Sequence, residues 1–233
     1  MHTLDNSSDL GATLPEVEFI EQQTGPHPTH SVIWLHGLGA DGYDFEPIVP
    51  AFDFPASTAI RFIFPHAPIR PITVNGGMEM RGWYDIREWS LNRNEDEEGI
   101  EQSRQIVHAL IAAENKRGIP SEHIFLAGFS QGGAIALYTA LRYPRKLAGV
   151  IALSCYLPTA DRTVVERSTY NQTTPIFMGH GKHDQTVPIM VAQLSKDRLT
   201  KLEYSVLWKE YVMEHSVHPQ EIIDISRFIQ SIC

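Results

Sequence analysis

Short apolar runs alternate along the chain with longer segments in which apolar residues recur every three or four positions. Continuous apolar runs of about four to eight residues are typical of strands buried on both faces, and the wider spacing is typical of amphipathic helices. The predicted strands are 31–35, 60–64, 124–127, 149–155, 175–181 and 204–212, with a weak edge strand at 16–20.

Helical spacing predicts helices near 45–52, over 95–116, from 134 onward, over 189–202 and at the C-terminal end. Residues 95–116 carry acidic residues first and basic residues last, which matches the helix dipole, and Gly118 and Pro120 end the pattern. Strands that alternate with helices indicate an α/β fold with a mostly parallel central sheet and helices on both faces. No repeat or linker divides the chain, so we expect a mobile lead-in over 1–13 and a single domain over 14–233.

Residues 66–80 combine proline and glycine with apolar side chains, which favours a surface loop that lines a pocket. Residues 157–174 are polar and irregular, and we expect one short helix there or none.

The 233 residues are 42% apolar and 20% charged, with a formal net charge of -9. That charge argues against nucleic acid as a partner, because phosphate binding needs surplus lysine and arginine. No apolar run approaches the roughly 18 residues that span a bilayer, so we expect at most peripheral membrane contact. The polar start of the chain lacks a signal pattern, and Cys155 and Cys233 make a poor disulfide framework. We therefore predict a cytoplasmic protein.

Residues 128–132 have the pattern Gly-x-Ser-x-Gly where a predicted strand meets a predicted helix. A serine at the apex of such a turn is a nucleophile elbow, and the crowded turn needs residues without side chains beside the serine. Ser130 is therefore the candidate nucleophile. The plainer interpretation, a helix cap in a nucleotide-binding domain, leaves the other loops unexplained.

Loops that follow four predicted strands carry residues suited to chemistry, and in an open sheet they gather at the carboxyl edge. Ser130, Asp184 and His215 follow one another in the order that α/β-hydrolases use. A serine hydroxyl needs a base to take its proton, and an imidazole held by a carboxylate supplies one. We predict Ser130 as nucleophile, His215 as base and then acid, and Asp184 as the residue that orients His215.

The tetrahedral intermediate of acyl transfer carries negative charge on the former carbonyl oxygen. The donors that stabilise it are the N–H after the nucleophile and an N–H from the first glycine-rich loop, here Gln131 and Leu38. Losing one such donor raises the barrier by about 3 kcal/mol. His36, in the same loop, is interpreted as a structural residue.

Five motifs stand in order along the chain: HGLG at 36–39, GFSQGG at 128–133, LSCYLP at 153–158, GHGKHDQTVP at 179–188 and MEH at 213–215. Together they resemble the acyl-protein thioesterase and carboxylesterase family, also called phospholipase/carboxylesterase. The resemblance covers essentially the whole chain after about residue 14, and five ordered motifs are far more specific than the elbow alone.

The resemblance implies an α/β-hydrolase fold with a minimal cap, no metal or cofactor, and hydrolysis of carboxylic esters or thioesters. The implied partner is a small-molecule or lipid acyl substrate, or an acylated protein. It also implies that residues 69–80 form a flexible flap over an acyl groove. We expect substrate contacts from Ile72, Val74, Met78, Trp83 and Leu157, although a plain core role fits Trp83 and Met78 equally well.

Three positions leave a choice open. Cys155 stands where many members of that family have glycine, so we expect altered packing near the groove. His218 follows His215 closely, and the residues alone leave the base ambiguous, whereas the match to the family favours His215. His180, His183 and Asp184 have a metal-like spacing, but a triad aspartate must be free to hold its histidine.

Rival functions also stay open. The apolar segment 69–80 suits a lysophospholipase or a protein depalmitoylase that acts at membranes, and an exposed flap could seed a homodimer. A non-catalytic module that binds an acyl ligand is the rival from another class, and the presence of all three triad residues argues against it.

Overall fold

The computed structural model describes residues 17–55, 58–88 and 94–233, so the predicted lead-in lies outside it. The strands are β1 Phe19–Gln23, β2 His30–Leu35, β3 Ile60–Pro65, β4 Ile69–Ile72, β5 Met78–Arg81, β6 Ile124–Phe129, β7 Gly149–Leu153, β8 Ile176–Gly181 and β9 Val206–Tyr211. The α-helices are α1 Glu97–Lys116, α2 Gln131–Arg142, α3 Thr163–Glu166, α4 Ile189–Lys201 and α5 Pro219–Gln230. Short 3-10 helices cover Glu46–Ala51, Thr73–Asn75, Ser121–His123 and Thr169–Asn171.

Seven strands form one sheet in the order β1-β3-β2-β6-β7-β8-β9. β1 pairs antiparallel with β3 at one edge, and every other pair in this sheet is parallel. The central strands β6 and β7 are buried almost throughout, because each of their faces is covered. The predicted α/β fold with a mostly parallel sheet is confirmed.

Helices cover both faces of the sheet, as predicted. On one face α1, α2 and α4 contribute Ile106, Ile135 and Leu199 to the core. On the other face α5 and the 3-10 helix Glu46–Ala51 contribute Ile225 and Val49. With both faces covered, the loops at the carboxyl edge are where side chains can meet around a cleft.

No helix in the described ranges is both long enough and apolar enough to cross a membrane.

Two segments differ from their predicted structure. The predicted loop contains the antiparallel hairpin β4–β5, in which Gly76 and Gly77 adopt positive φ. Glycine takes that conformation at no steric cost, which short hairpin connections need. The segment near 45–52 forms only a 3-10 helix, because Pro50 has no N–H to donate within a longer α-helix.

A buried ion-pair network ties the edge of the sheet to α1. The fully buried carboxylate of Glu114 accepts hydrogen bonds from Arg61 and Arg117, each at 2.9 Å, and from the hydroxyl of Ser31. Glu21 on β1 also pairs with Arg61 and Arg117. Removing the Glu114 carboxylate would leave the buried Arg61 guanidinium with only the longer 3.5 Å contact to Glu21, which is costly.

We expect Glu114→Ala to destabilise the protein by about 3–5 kcal/mol, the range for breaking a buried ion pair from one side. Glu98→Ala, on the exposed first turn of the same helix, is the matched control and should cost less than about 1 kcal/mol. Urea unfolding of both variants and the parent protein measures the difference. Equal losses for the two variants would contradict a stabilising network at Glu114.

Candidate active site

Ser130 lies at the turn between β6 and α2. Its backbone has φ 54° and ψ −119°, and its N–H donates to Leu153 O at 2.8 Å. The helix begins at the next residue, yet the Ser130 side chain makes no capping hydrogen bond. A strained backbone that leaves a half-buried hydroxyl beside a pocket has the geometry of a nucleophile elbow and does not fit the helix-cap alternative.

Glycine is required on both sides of this turn. A Cβ on Gly132 would lie 2.6 Å from His36 O and closer still to Leu35 O. A Cβ on Gly128 would lie 2.6 Å from Gly133 N. These separations are too short for non-bonded atoms, so α2 can begin against the ends of β2 and β6 only with glycine at both positions.

Asp184 follows β8 and holds His215. Asp184 Oδ2 lies 2.7 Å from His215 Nδ1, and Oδ1 accepts the N–H groups of Thr186 at 2.9 Å and Val187 at 2.8 Å. Burial raises the pKa of Asp184, but hydrogen bonds from His180 and His215 outweigh burial and hold that pKa well below its usual range. The aspartate is therefore an ionised hydrogen-bond acceptor.

His215 also lies close to the elbow. Its ring packs on that of Phe129, the residue before Ser130, with the ring centroids 4.6 Å apart. Among the hydrogen bonds of the described residues there is none between Ser130 Oγ and His215. The structure thus joins Asp184 to His215 directly and places His215 against the neighbour of Ser130. Catalytic hydrogen bonds are often long without substrate and shorten when it binds.

His218 has a structural task. It caps α5, where its Nδ1 accepts the Gln220 N–H at 3.1 Å and its own N–H donates to Glu221 at 3.3 Å. Its ring stacks on Tyr211 at 5.8 Å. Of the two histidines between which the sequence left a choice, His215 is the one that contacts Asp184.

Two further histidines hold the surrounding loops. His180 Nε2 donates to Val187 O at 2.8 Å and lies 3.4 Å from Asp184 Oδ2. His36 donates from Nδ1 to the next carbonyl at 2.7 Å and accepts the Ala67 N–H at Nε2, at 3.0 Å. Burial lowers the pKa of His36 to about 4, so its ring is neutral at pH 7 and can accept as well as donate.

His180, His183 and Asp184 have a metal-like spacing in the sequence but do not form a metal-binding cluster in the described structure. His180 and Asp184 are engaged as described above, and His183 is exposed. Across the described ranges, no group of three or more His, Cys, Asp or Glu residues is arranged to hold a metal ion.

Two residues that border the pocket with Ser130 have a backbone N–H without an acceptor among the described residues. Leu38 and Gln131 both border the pocket beside the serine. Gln131 is the first residue of α2, a position whose N–H has no partner within the helix. Within the described part of the chain, neither N–H donates to another group. Such free donors are what a developing oxyanion requires.

A pocket of about 520 Å³ opens beside Ser130, with walls from the loops after β2, β5, β7 and β8 and from the start of α4. The apolar and aromatic part of its wall consists of Leu38, Tyr84, Ile86, Tyr156, Val187, Pro188 and Val191. The polar part consists of Asp85, Arg87, Glu88, Asn94, Glu95, Gln185 and Thr186.

None of the five residues expected to contact substrate borders this pocket. Ile72 and Trp83 are fully buried and Leu157 is 4% exposed, and substrate contact by these three residues stays a prediction. Val74 and Met78 belong to the segment from β4 to β5, and the Val74 N–H donates to the carbonyl oxygen of the wall residue Ile86 at 3.0 Å. Apolar character alone did not distinguish a side chain beneath the pocket from one that faces it.

Tyr84 and Tyr156 are pocket residues that sequence reasoning missed. Their hydroxyls lie 2.7 Å apart although the residues are separated by 72 positions. Tyr156 stands within the LSCYLP motif, so a signal was present in the sequence. Tyr84 follows Trp83 directly and both are buried, so no spacing rule indicated which of the two would border the pocket.

Cys155 packs beneath the elbow helix. It is buried, and a Cβ on Gly133 would lie 2.9 Å from its Sγ. Burial raises the pKa of this thiol, which keeps it protonated and unreactive. The residue at this position therefore sets the packing of α2 and does not border the pocket.

The sheet, the strained serine turn and the histidine–aspartate pair at its carboxyl edge define an α/β-hydrolase. The sequence matches the family described as Phospholipase/Carboxylesterase over residues 15–233. The chain belongs to this family, and the resemblance carried by its five motifs is confirmed. It is thus an enzyme, a serine hydrolase of the carboxylesterase and thioesterase type.

Curated relatives match over most of their length. The chain is 40% identical to acyl-protein thioesterase 1 of Gibberella zeae over 211 residues, which cover 87% of this chain and 90% of the relative. It is 37% identical to acyl-protein thioesterase 1 of Yarrowia lipolytica, covering 87% of this chain and 91% of the relative.

Solved structures share the fold. Arabidopsis thaliana SOBER1 aligns with a TM-score of 0.82 at 32% identity, over 87% of this chain and 98% of that one. Zea mays acyl-protein thioesterase 2 aligns with a TM-score of 0.79 at 29% identity, over 91% of this chain and 98% of that one.

We expect Gly132→Ala to lower both stability and ester hydrolysis, because its methyl group would collide with carbonyl oxygens at the end of β2. The expected cost is about 1–3 kcal/mol, as for other overpacked sites. Gly25→Ala is the control, since its Cβ would make an ordinary 3.4 Å contact with Ala59. Thermal unfolding and an ester assay on both variants test this. A Gly132→Ala enzyme with parental stability and rate would refute the close-approach requirement.

Proposed function

We propose that Ser130, His215 and Asp184 act together as a catalytic triad that cleaves carboxylic esters and thioesters through an acyl-enzyme. The observation that carries the proposal is the 2.7 Å hydrogen bond between His215 Nδ1 and Asp184 Oδ2, at the same edge of the sheet as the Ser130 turn. A carboxylate only accepts, so Nδ1 is the protonated nitrogen of the neutral ring. Nε2 is then unprotonated, as a base for serine must be.

In the first step Ser130 Oγ attacks the acyl carbon while its proton passes to His215 Nε2. The tetrahedral intermediate collapses when the imidazolium returns that proton to the leaving alcohol or thiol, and the acyl group stays on Oγ. Water, deprotonated by the same imidazole, then attacks the acyl-enzyme. The imidazolium returns the proton to Ser130 Oγ as the bond between Oγ and the acyl carbon breaks, which releases the carboxylic acid. Asp184 stabilises the imidazolium in each half, because its low pKa keeps it ionised.

The N–H groups of Leu38 and Gln131 are the proposed oxyanion donors. Both border the pocket beside Ser130, and Gln131 opens a helix whose N-terminal dipole favours negative charge. Donors fixed in place before the reaction stabilise the intermediate by about 3 kcal/mol each.

We propose acyl thioesters of proteins as substrates alongside simple acyl esters. The pocket volume of about 520 Å³ suits a medium-sized acyl group, and the wall next to Ser130 is partly apolar. Relatives at 37% and 40% identity carry the name acyl-protein thioesterase 1, which supports this substrate class. A reducing compartment such as the cytoplasm fits the two free thiols.

Action on acyl groups held at a membrane surface is a second candidate, favoured by one observation. The hairpin β4–β5 exposes Ile69 by 64% and Met78 by 63%, and exposed apolar side chains of this kind can contact lipid. We expect lipid vesicles to raise the rate on a long-chain ester. An unchanged rate with vesicles would argue against this second function.

We expect Ser130→Ala to reduce hydrolysis of p-nitrophenyl butyrate by at least about a thousandfold, because no other nucleophile takes the place of the hydroxyl. Ser205→Ala, at an exposed serine before β9, is the control and should keep the parental rate. Circular dichroism establishes that both variants fold. Substantial turnover by a folded Ser130→Ala enzyme would remove the basis of the mechanism.

We expect log(kcat/KM) to rise with a slope of about one as the pH increases through the acid range. A general base acts only in its unprotonated form, so activity is lost at low pH. Asp184 should not add a second step, because its pKa lies well below the usual range and it stays ionised throughout. A pH series with a soluble ester measures the profile, and a flat curve or a slope of two would conflict with these assignments.

A further inference from the structure

The side-chain amide of Gln131 joins the start of α2 to the backbone of Trp83 and Tyr84. Gln131 is 3% exposed, its Oε1 accepts the Trp83 N–H at 2.7 Å, and its Nε2 donates to Tyr84 O at 2.6 Å. Residues 82–88 form no helix or strand. One amide therefore satisfies two backbone groups of a segment that has no regular structure to hold it.

Trp83 contacts the loop after β2, which contains Leu38. Its buried indole Nε1 donates to His36 O at 2.9 Å, and its ring packs against the His36 ring at 5.3 Å. On the other side of Leu38, the Gly39 N–H donates to Arg81 O at 2.8 Å. Leu38 thus lies between two hydrogen bonds, one from the segment that Gln131 contacts and one to the last residue of β5.

Tyr84 carries the connection toward the pocket wall. Its hydroxyl lies 2.7 Å from that of Tyr156, and both residues border the pocket. Ser103 of α1 donates to Trp83 O and anchors the segment from the side away from the pocket. The Gly82 N–H also donates to Pro68 O, and the Asp85 N–H donates to Asp96. From the elbow, the Gln131 amide adds the two hydrogen bonds described above.

We propose that the Gln131 side chain is a positioning residue that fixes the distance between the Gln131 and Leu38 N–H groups and holds Tyr84 against the acyl group. This inference rests on the proposed function, because it takes those two N–H groups as the oxyanion donors. The task requires an amide, which accepts from one backbone N–H and donates to the next carbonyl. A carboxylate cannot donate, and a thioether replaces neither bond.

Gln131→Met tests the proposal, because it keeps the backbone N–H and a similar side-chain length but removes both hydrogen bonds. We expect kcat for p-nitrophenyl butyrate to fall roughly tenfold to a hundredfold while KM changes less than about threefold, since small displacements of catalytic groups act on the chemical step. The ratio of rates on butyrate and decanoate esters should also change, because the Tyr84 wall moves. A purely structural residue would lower stability without altering that ratio.

Gln131→Glu is the second variant, in case the first does not fold. It retains the acceptor for Trp83 but sets a carboxylate oxygen against Tyr84 O, and we expect a loss of kcat at least as large. Gln102→Met, on the exposed face of α1, is the matched control and should behave as the parent protein. A folded Gln131→Met or Gln131→Glu enzyme with parental kcat and acyl-length profile would overturn the proposal.

Trp83→Phe tests the connection independently, because it removes the indole N–H that reaches His36, together with part of the ring, and keeps an aromatic side chain. If Trp83 and Gln131 position the same groups, their effects are not independent. The fold-loss of activity in the double variant with Gln131→Met should then be smaller than the product of the two single fold-losses. Losses that multiply would show that the sites act separately and would contradict the inference.

Ser130→Ala in the same assay keeps the two proposals distinct. Hydrolysis that survives Ser130→Ala would refute the proposed function itself. Hydrolysis that is lost in Ser130→Ala but unchanged in Gln131→Met would refute this inference alone.

Discussion

The start of α2 lies in direct contact with the carboxyl ends of β2 and β6, and the rest of the site depends on this close approach. Gly132 leaves no room for a side chain beneath the Leu35 and His36 carbonyls, and Gly128 leaves none beneath the first turn of the helix. The approach forces Ser130 to φ 54°. Its hydroxyl then projects from the edge of the sheet, and the first N–H of the helix is left free beside it.

Electrostatics determines how the remaining residues are arranged around that serine. A buried carboxylate is unfavourable unless donors surround it. The loop after β8 supplies two backbone N–H groups, His215 in the loop after β9 lies 2.7 Å away, and His180 of β8 lies 3.4 Å away. The low pKa of Asp184 follows from this arrangement. An acceptor that is permanently ionised orients His215 in one tautomer, so one buried interaction fixes both the charge and the direction of the base.

The sequence was informative where one residue type is physically required. Close backbone approach demands glycine, so the pattern Gly-x-Ser-x-Gly was enough to predict the elbow. Continuous apolar strands predicted the parallel sheet, and the order of Ser130, Asp184 and His215 predicted which loops would meet. Only the family resemblance identified His215 as the base. His218 is the same residue type and differs from His215 only in its contacts, which the sequence does not show.

The pocket was far less predictable, because its wall depends on which way a side chain points. Trp83 and Tyr84 are adjacent aromatic residues in a segment without regular structure, so no periodicity assigns one to the core and the other to the wall. The hairpin β4–β5 was hidden by its proline content, although Gly76 and Gly77 mark its turn. The hydrogen bonds of the Gln131 side-chain amide join residues 47 or more positions apart, so no local sequence pattern predicts them.

The central claim is that Ser130, His215 and Asp184 work as one unit. Measuring kcat/KM for Ser130→Ala, His215→Ala and the double variant tests it most directly, with folding verified for each protein. Residues that act as a unit are strongly non-additive, so we predict that each single variant loses at least about a thousandfold and that the double variant is no worse than about tenfold below either. Losses that multiply, or a His215→Ala enzyme that retains most of its activity, would contradict the account.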